Sequence, residues 1–176
     1  SKDYIFDSGL KNNFGGYFKN LNTTGKNDEL YKSSPQVELM SIFEARSSLP
    51  LIQYSDKFNR YIEPKISLRF NPSDMKDYSN SNRKINSSNI FEINRLGLTD
   101  TFEEGKSITL GFDYKKENIE NINNYFEFKM ASVLRDNREE RIPSSSSINQ
   151  SGDLIGTIQN NLNKNLNFYY DFAIDN

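Results

Sequence analysis

Two adjacent carboxylate pairs, Glu103-Glu104 and Glu139-Glu140, are the first residues with the chemistry for acid–base work. A solvated loop charge is the blander reading of both, and it outweighs the catalytic one. Ser144 to Ser147 offer hydroxyl nucleophiles, but with 0 His in the chain and no placed Lys the run reads as a flexible loop. Asp74, Asp77 and Asp100 carry calcium-type oxygen ligands without the spacing of an EF-hand. Gly15-Gly16 lacks the lysine and following helix of a phosphate-cradling loop; glycine within a strand marks a bend or a close backbone approach. The absence of His and Cys removes the commonest general base, the commonest transition-metal ligand, thiolate metal sites and any disulfide framework. The expectation is therefore a protein that is not an enzyme, with no catalytic residue, metal site or cofactor.

Composition points to what positions the remaining residues. The chain has 176 residues and a net charge of -2, with 22 Lys+Arg against 24 Asp+Glu, so no whole-chain attraction for nucleic acid is expected. Apolar residues make up only 35% and mean hydropathy is -0.78, low for a compact soluble α/β enzyme. Yet 13% of residues are aromatic, which argues against plain disorder. A fold that is apolar on one side and wet on the other reconciles the two. An antiparallel sheet does this, because successive side chains point to opposite faces. No apolar run approaches the roughly 18 residues of a membrane helix. No secretory signal opens the chain and both ends look cut, so a fragment is expected.

Period-2 alternation recurs along the whole length. Leu166, Phe168, Tyr170, Phe172 and Ile174 oppose Asn167, Tyr169, Asp171, Ala173 and Asp175. Over 58–71, Ile62, Pro64, Ile66, Leu68 and Phe70 oppose Glu63, Lys65, Ser67 and Arg69. Over 106–116, Ile108, Leu110, Phe112 and Tyr114 oppose Ser107, Thr109, Gly111, Asp113 and Lys115. Over 124–135, Phe126, Phe128, Met130 and Leu134 oppose Glu127, Lys129 and Arg135. Weaker strands fit 4–10, 14–22, 37–46 and 154–163, and 37–46 also fits a short helix. Pro64 cannot donate to a ladder, which implies a bulge or local break.

Strands of about 10 residues, tilted near 40°, span about 25 Å, the height of the apolar band on membrane barrels. The connections alternate: 11–13 short, 23–36 long, 47–57 medium, 72–105 long, 117–123 short, 136–153 long, 164–165 very short. Short turns at one end and long loops at the other suit an up-and-down transmembrane β-barrel. The expected fold class is all-β, with about eight antiparallel strands of a larger barrel and no internal domain boundary over 1–176. The long loops, rich in Asn, Ser and charge, are expected outside the cell and hydrated. Glu63, Lys65, Arg69, Asp113, Lys115, Glu127, Lys129, Asp171 and Asp175 share the polar face, either a lumen or the solvent face of a soluble sheet.

Three stretches add a resemblance. Ser48-Leu49-Pro50-Leu51 followed by Tyr61-Ile62-Glu63-Pro64-Lys65, then NIFEINRLGLTDTFEEG over 89–105, then Ser151-Gly152-Asp153-Leu154-Ile155-Gly156 together resemble the barrel domain of the LPS-assembly protein LptD (the OstA family). The matching positions are Pro50, Glu63, Pro64, Asn89, Phe91, Asn94, Arg95, Asp100, Glu103, Gly105, Asp153 and Gly156. Thr101 stands where the family often has Arg, Gly97 falls one place early, and Trp is absent. Nothing resembles the family's periplasmic lipid-receiving domain. The resemblance implies part of a translocon in the cell outer membrane that inserts lipopolysaccharide into the outer leaflet. It also implies an LptE-like plug lipoprotein in the barrel, the periplasmic Lpt bridge as supplier, and contact with outer-membrane lipid. Lys65, Arg69, Lys115 and Lys129 are then lumen-facing candidates for the anionic groups of lipopolysaccharide. A porin-like channel and a soluble all-β binding module are the alternatives, and a membrane-embedded hydrolase is a third that the absence of His disfavours.

Overall fold

The structure is a computed structural model that describes residues 2–28, 32–136, 140–146, 148, 152–163 and 165–174. All nine strands among these residues lie in one antiparallel sheet, and no helix forms. They are β1 (Lys2–Ile5), β2 (Lys11–Thr23), β3 (Gln36–Ser48), β4 (Leu51–Tyr54), β5 (Phe58–Asn71), β6 (Gly105–Asn118), β7 (Tyr125–Arg135), β8 (Leu154–Asn163) and β9 (Leu166–Ile174). Neighbours in sequence are neighbours in space, from β1 to β9. The two ends of this order do not pair with each other, so the sheet is open.

β4 extends β3. Both pair with β5 in one continuous register, Ser48 opposite Lys65 and Leu51 opposite Ile62. The interruption at Leu49-Pro50 lies opposite Glu63 and Pro64, where the Leu49 amide donates to the Pro64 carbonyl at 3.1 Å. In a strand, a residue's amide and carbonyl point the same way, so the missing Pro64 donor faces this break and costs the ladder little. The nine strands thus make eight staves.

The first hairpin corrects the expected boundaries. Its connection is 6–10 rather than 11–13, because Gly9 takes φ +84° and Phe6 bonds to both Gly9 and Leu10 across the turn. The expected medium connection 47–57 is instead the end of β3, the whole of β4 and a tight turn at 55–57. The segment 37–46 is strand, within β3. The alternation of short turns with long loops holds from β1 to β9, the short connections being 6–10, 55–57, 119–124 and 164–165.

The two faces differ in polarity. Val37, Leu39, Ile66, Leu68, Phe70, Ile108, Leu110 and Leu134 are exposed on the outer face, Leu39 by 76%. On the opposite face Ser67, Arg69, Asn71, Ser107 and Thr109 are buried, Ser67 and Thr109 to 1% exposure. The rows containing Phe112, Phe128 and Phe172 also lie on the outer face, and no apolar core forms among them; Phe128 stacks on Phe172 at 6.3 Å.

What buries the polar face is the long connections, which overturns their expected hydration. Met75, Ile85, Ile90, Leu96, Leu98, Ile142 and Ile148 from 72–104 and 136–153 form the main core. It rests on Ala131 and Val133 of β7 and Ile155 of β8. Most of these apolar residues stand singly among polar ones, and Ile90-Phe91 and Leu96-Gly97-Leu98 are too short to mark an element. A smaller cluster joins Phe102 to Met40 and Ile42 of β3.

Candidate functional site

The loop-covered face divides into a roofed half next to the long loops and a charged half next to the short turns. Glu103 organises the roofed half. Its carboxylate accepts from Arg95 Nε at 2.9 Å and Nη2 at 2.7 Å, from Arg69 Nη2 at 3.1 Å, and from Arg135 Nε at 3.1 Å and Nη2 at 2.9 Å. Arg95 and Glu103 come from the connection, whereas Arg69 and Arg135 come from β5 and β7. Arg95 also donates to Thr109 at 3.2 Å and Ser107 at 3.0 Å on β6. Burial alone would raise the Glu103 carboxyl, but the charges of Arg69, Arg95 and Arg135 outweigh it and hold the group well below the usual carboxylate range. Burial and repulsion from Arg69 push the Arg95 guanidinium down to about 9.

The connection folds on itself around the same residues. Asn94 receives the Leu98 amide at 3.3 Å and donates to the Leu98 carbonyl at 2.8 Å around Gly97, whose φ is +61°. Asn89 accepts from the Asn86 amide and donates to the Lys84 carbonyl, both at 2.8 Å. Tyr78 donates to Asp100 at 2.6 Å. Phe91 lies over Gly111 of β6, where any Cβ would collide with its ring, and its carbonyl accepts from Arg46. Glu104, half-exposed, accepts from the Met75 amide at 2.9 Å and pairs with Arg141. The Glu103-Glu104 pair is thus bound into the fold rather than solvated. Glu139, Ser147, Ser151 and Asp175 lie outside the described residues. Among the described residues no three acidic side chains meet as a metal cage.

In the charged half, Lys65 pairs with Asp113 at 2.5 Å and Glu63 at 3.5 Å, Lys115 with Glu117 at 2.7 Å and Lys129 with Glu127 at 3.0 Å. Thr157 donates to Asp171 at 2.7 Å and meets Ser87 at 2.5 Å. Lys65, Lys115 and Lys129 are partly open there, but Arg69 is sealed under the roof beside Glu103 and is not available to a ligand. The remaining motif positions are architectural. Pro50 sits at the β3–β4 break, Gly105 opens β6 with φ +78°, Asp153 is buried before β8, and Gly156 lies under the Phe172 ring on the outer face.

Sequence reading missed Arg135 in the Glu103 network, and it missed a second buried pair, Arg46 with Glu44 at 2.9 Å, whose carboxylate also accepts from Ser67 at 2.7 Å. The available signal was the row Ser67, Ser107 and Thr109: short polar side chains at inward positions beside long loops leave room for a roof. Comparison with protein-family models, curated proteins and solved structures returns no match. The chemistry within reach of these residues is ionic and hydrogen-bonding contact, including hydroxyl–carboxylate pairs such as Ser67–Glu44 and Thr157–Asp171, both at 2.7 Å.

Proposed function

We propose that the chain forms part of the wall of an outer-membrane β-barrel of the LPS-assembly type, which delivers lipopolysaccharide to the outer leaflet. The observation that carries this is the polarity of the two faces: the outward rows are largely apolar and exposed, while the covered face holds the charged and hydroxyl side chains, interrupted under the roof by Met40, Ile42, Ala131, Val133 and Ile155. A soluble sheet would bury the apolar rows at a gain of roughly 25 cal/mol per Å². Leaving them exposed across the staves makes sense only against an apolar medium. On β6 the band runs between outward Lys106 and Lys116, ten positions apart, or about 25 Å at the tilt of membrane strands. The half-open lysines of the charged half are candidate contacts for sugar-phosphate or for a plug protein, and the roof stands on the side assigned to the cell exterior.

The test uses the protein reconstituted in vesicles. A nitroxide on Cys introduced at Leu110 is expected to be lipid-accessible, and one at Asp113 accessible to aqueous relaxants; the reverse pattern ends the barrel reading. Depleting the protein from cells is expected to lower surface lipopolysaccharide, and normal surface levels would remove the transport assignment. A porin-like channel is the second reading. The roofed half favours little steady current in planar bilayers, and large open currents would favour the channel.

A further inference from the structure

The outer face carries a built groove. Phe14, Ala45, Leu68, Ile108 and Leu134 are successive register partners across β2, β3, β5, β6 and β7. They line a cavity of about 840 Å³, almost wholly apolar, with Phe43, Phe70 and Lys106 along its loop-side wall. The small Ala45 leaves depth in the middle, and Phe43 and Phe70 stand above it. That volume lies within the range of lipid-sized and drug-sized ligand sites.

Lys106 gives this groove a positively charged end. Lys65, Lys115 and Lys129 on the covered face each hold a carboxylate. Lys106 and Lys116, on the outer face, hold none among the described residues; their Nζ atoms lie over the rings of Phe70 and Phe58, at 5.9 Å and 4.1 Å. The nearby Asp136 carboxylate is turned to the backbone, accepting from the Lys106 amide at 3.3 Å. An unpaired ammonium at the end of an apolar trough matches a lipid with an anionic head and a hydrocarbon tail.

We propose that the groove binds one anionic phospholipid, with an acyl chain across Ala45 and Leu68 and the phosphate on Lys106. This rests on the barrel reading and adds to it a specific, retained lipid. The same site has no use for a porin-like or a transporting lumen, because it lies on the other side of the wall.

The protein is purified in detergent, stripped of loosely held lipid, and offered dioleoyl phosphatidylglycerol or dioleoyl phosphatidylcholine, with bound lipid counted by native mass spectrometry. About one phosphatidylglycerol per chain is expected, with phosphatidylcholine held about tenfold more weakly, the scale of one charge-assisted contact. Lys106→Gln is expected to erase that preference, and Ala45→Phe to abolish retention of both lipids. Lys116→Gln is the control and leaves both unchanged. Heat-dependent gel mobility verifies that each variant is folded. Equal retention in wild type, K106Q and A45F overturns the groove. A chain that stays in aqueous solution without partitioning into vesicles overturns the barrel reading itself, a separate result.

Discussion

Glu103 gathers three guanidinium groups at a buried point, and removing it takes from all of them the carboxylate they share. Glu103→Ala is expected to cost about 3–5 kcal/mol, the usual penalty for breaking a buried pair from one side. The readouts are the urea midpoint of the detergent-solubilised protein and the rate of protease cleavage within 72–104. An unchanged midpoint would show that the network contributes nothing. The pH dependence follows in sign. Because the folded Glu103 pKa lies below its ordinary 4.5, its contribution is complete above about pH 4.5 and falls away as the pH drops through the depressed folded value. Arg95 acts oppositely: its lowered pKa of about 9 means that burying its charge costs stability at neutral pH, and the cost eases only above that value. Acid titration of wild type against Glu103→Gln is expected to show a larger acid-dependent loss in wild type, the remaining loss in the variant coming from other depressed carboxyls such as Asp77. Gly111 offers a paired prediction. Gly111→Ala pushes into the Phe91 ring and is expected to cost about 1–3 kcal/mol, and Phe91→Ala in the same chain to recover part of it. Strictly additive losses in the double variant would count against the seating of Phe91. Arg95 and Glu103 stood out in the sequence as shared motif positions, but nothing in a one-dimensional pattern says that two residues eight apart in an irregular stretch grip each other and the three strands β5, β6 and β7.

At the level of the strand, alternation was a sound guide wherever one face was fully apolar. β5, β6, β7 and β9 occupy the expected stretches with the expected faces. β2 begins at Lys11 because Asn12 and Asn13 continue the ladder opposite Ser47 and Arg46, and asparagine in a sequence reads as turn rather than strand. The long connections were the least legible elements. Their isolated isoleucines and leucines acquire meaning only when β7 and β8 supply Ala131, Val133 and Ile155 beneath them. Gly156 tests strand packing directly. A Cβ there would stand 2.5 Å from the Lys129 carbonyl and collide with the Phe172 ring. Gly156→Ala is expected to destabilise the β8–β9 edge by about 1–3 kcal/mol, read as faster amide exchange at Tyr170 and Phe172. Wild-type exchange rates in that variant would mean the contact is slack.

At the scale of the whole molecule, the described residues form an open, eight-stave sheet whose covered face is occupied by its own connections. Its edges at β1 and β9 present unpaired backbone, a surface that requires another strand or a cover. The main core of the roof has a further property. Every residue in it, from Met75 to Ile155, belongs to one uninterrupted stretch of chain, and none is drawn from β1, β2, β3 or β9. Contacts that close short loops form sooner than those that close long ones. The roof closes long loops, the Ile85 amide reaching Ser146 61 positions on, so the expected order is the β6–β7 hairpin first and the two connections closing over it afterwards.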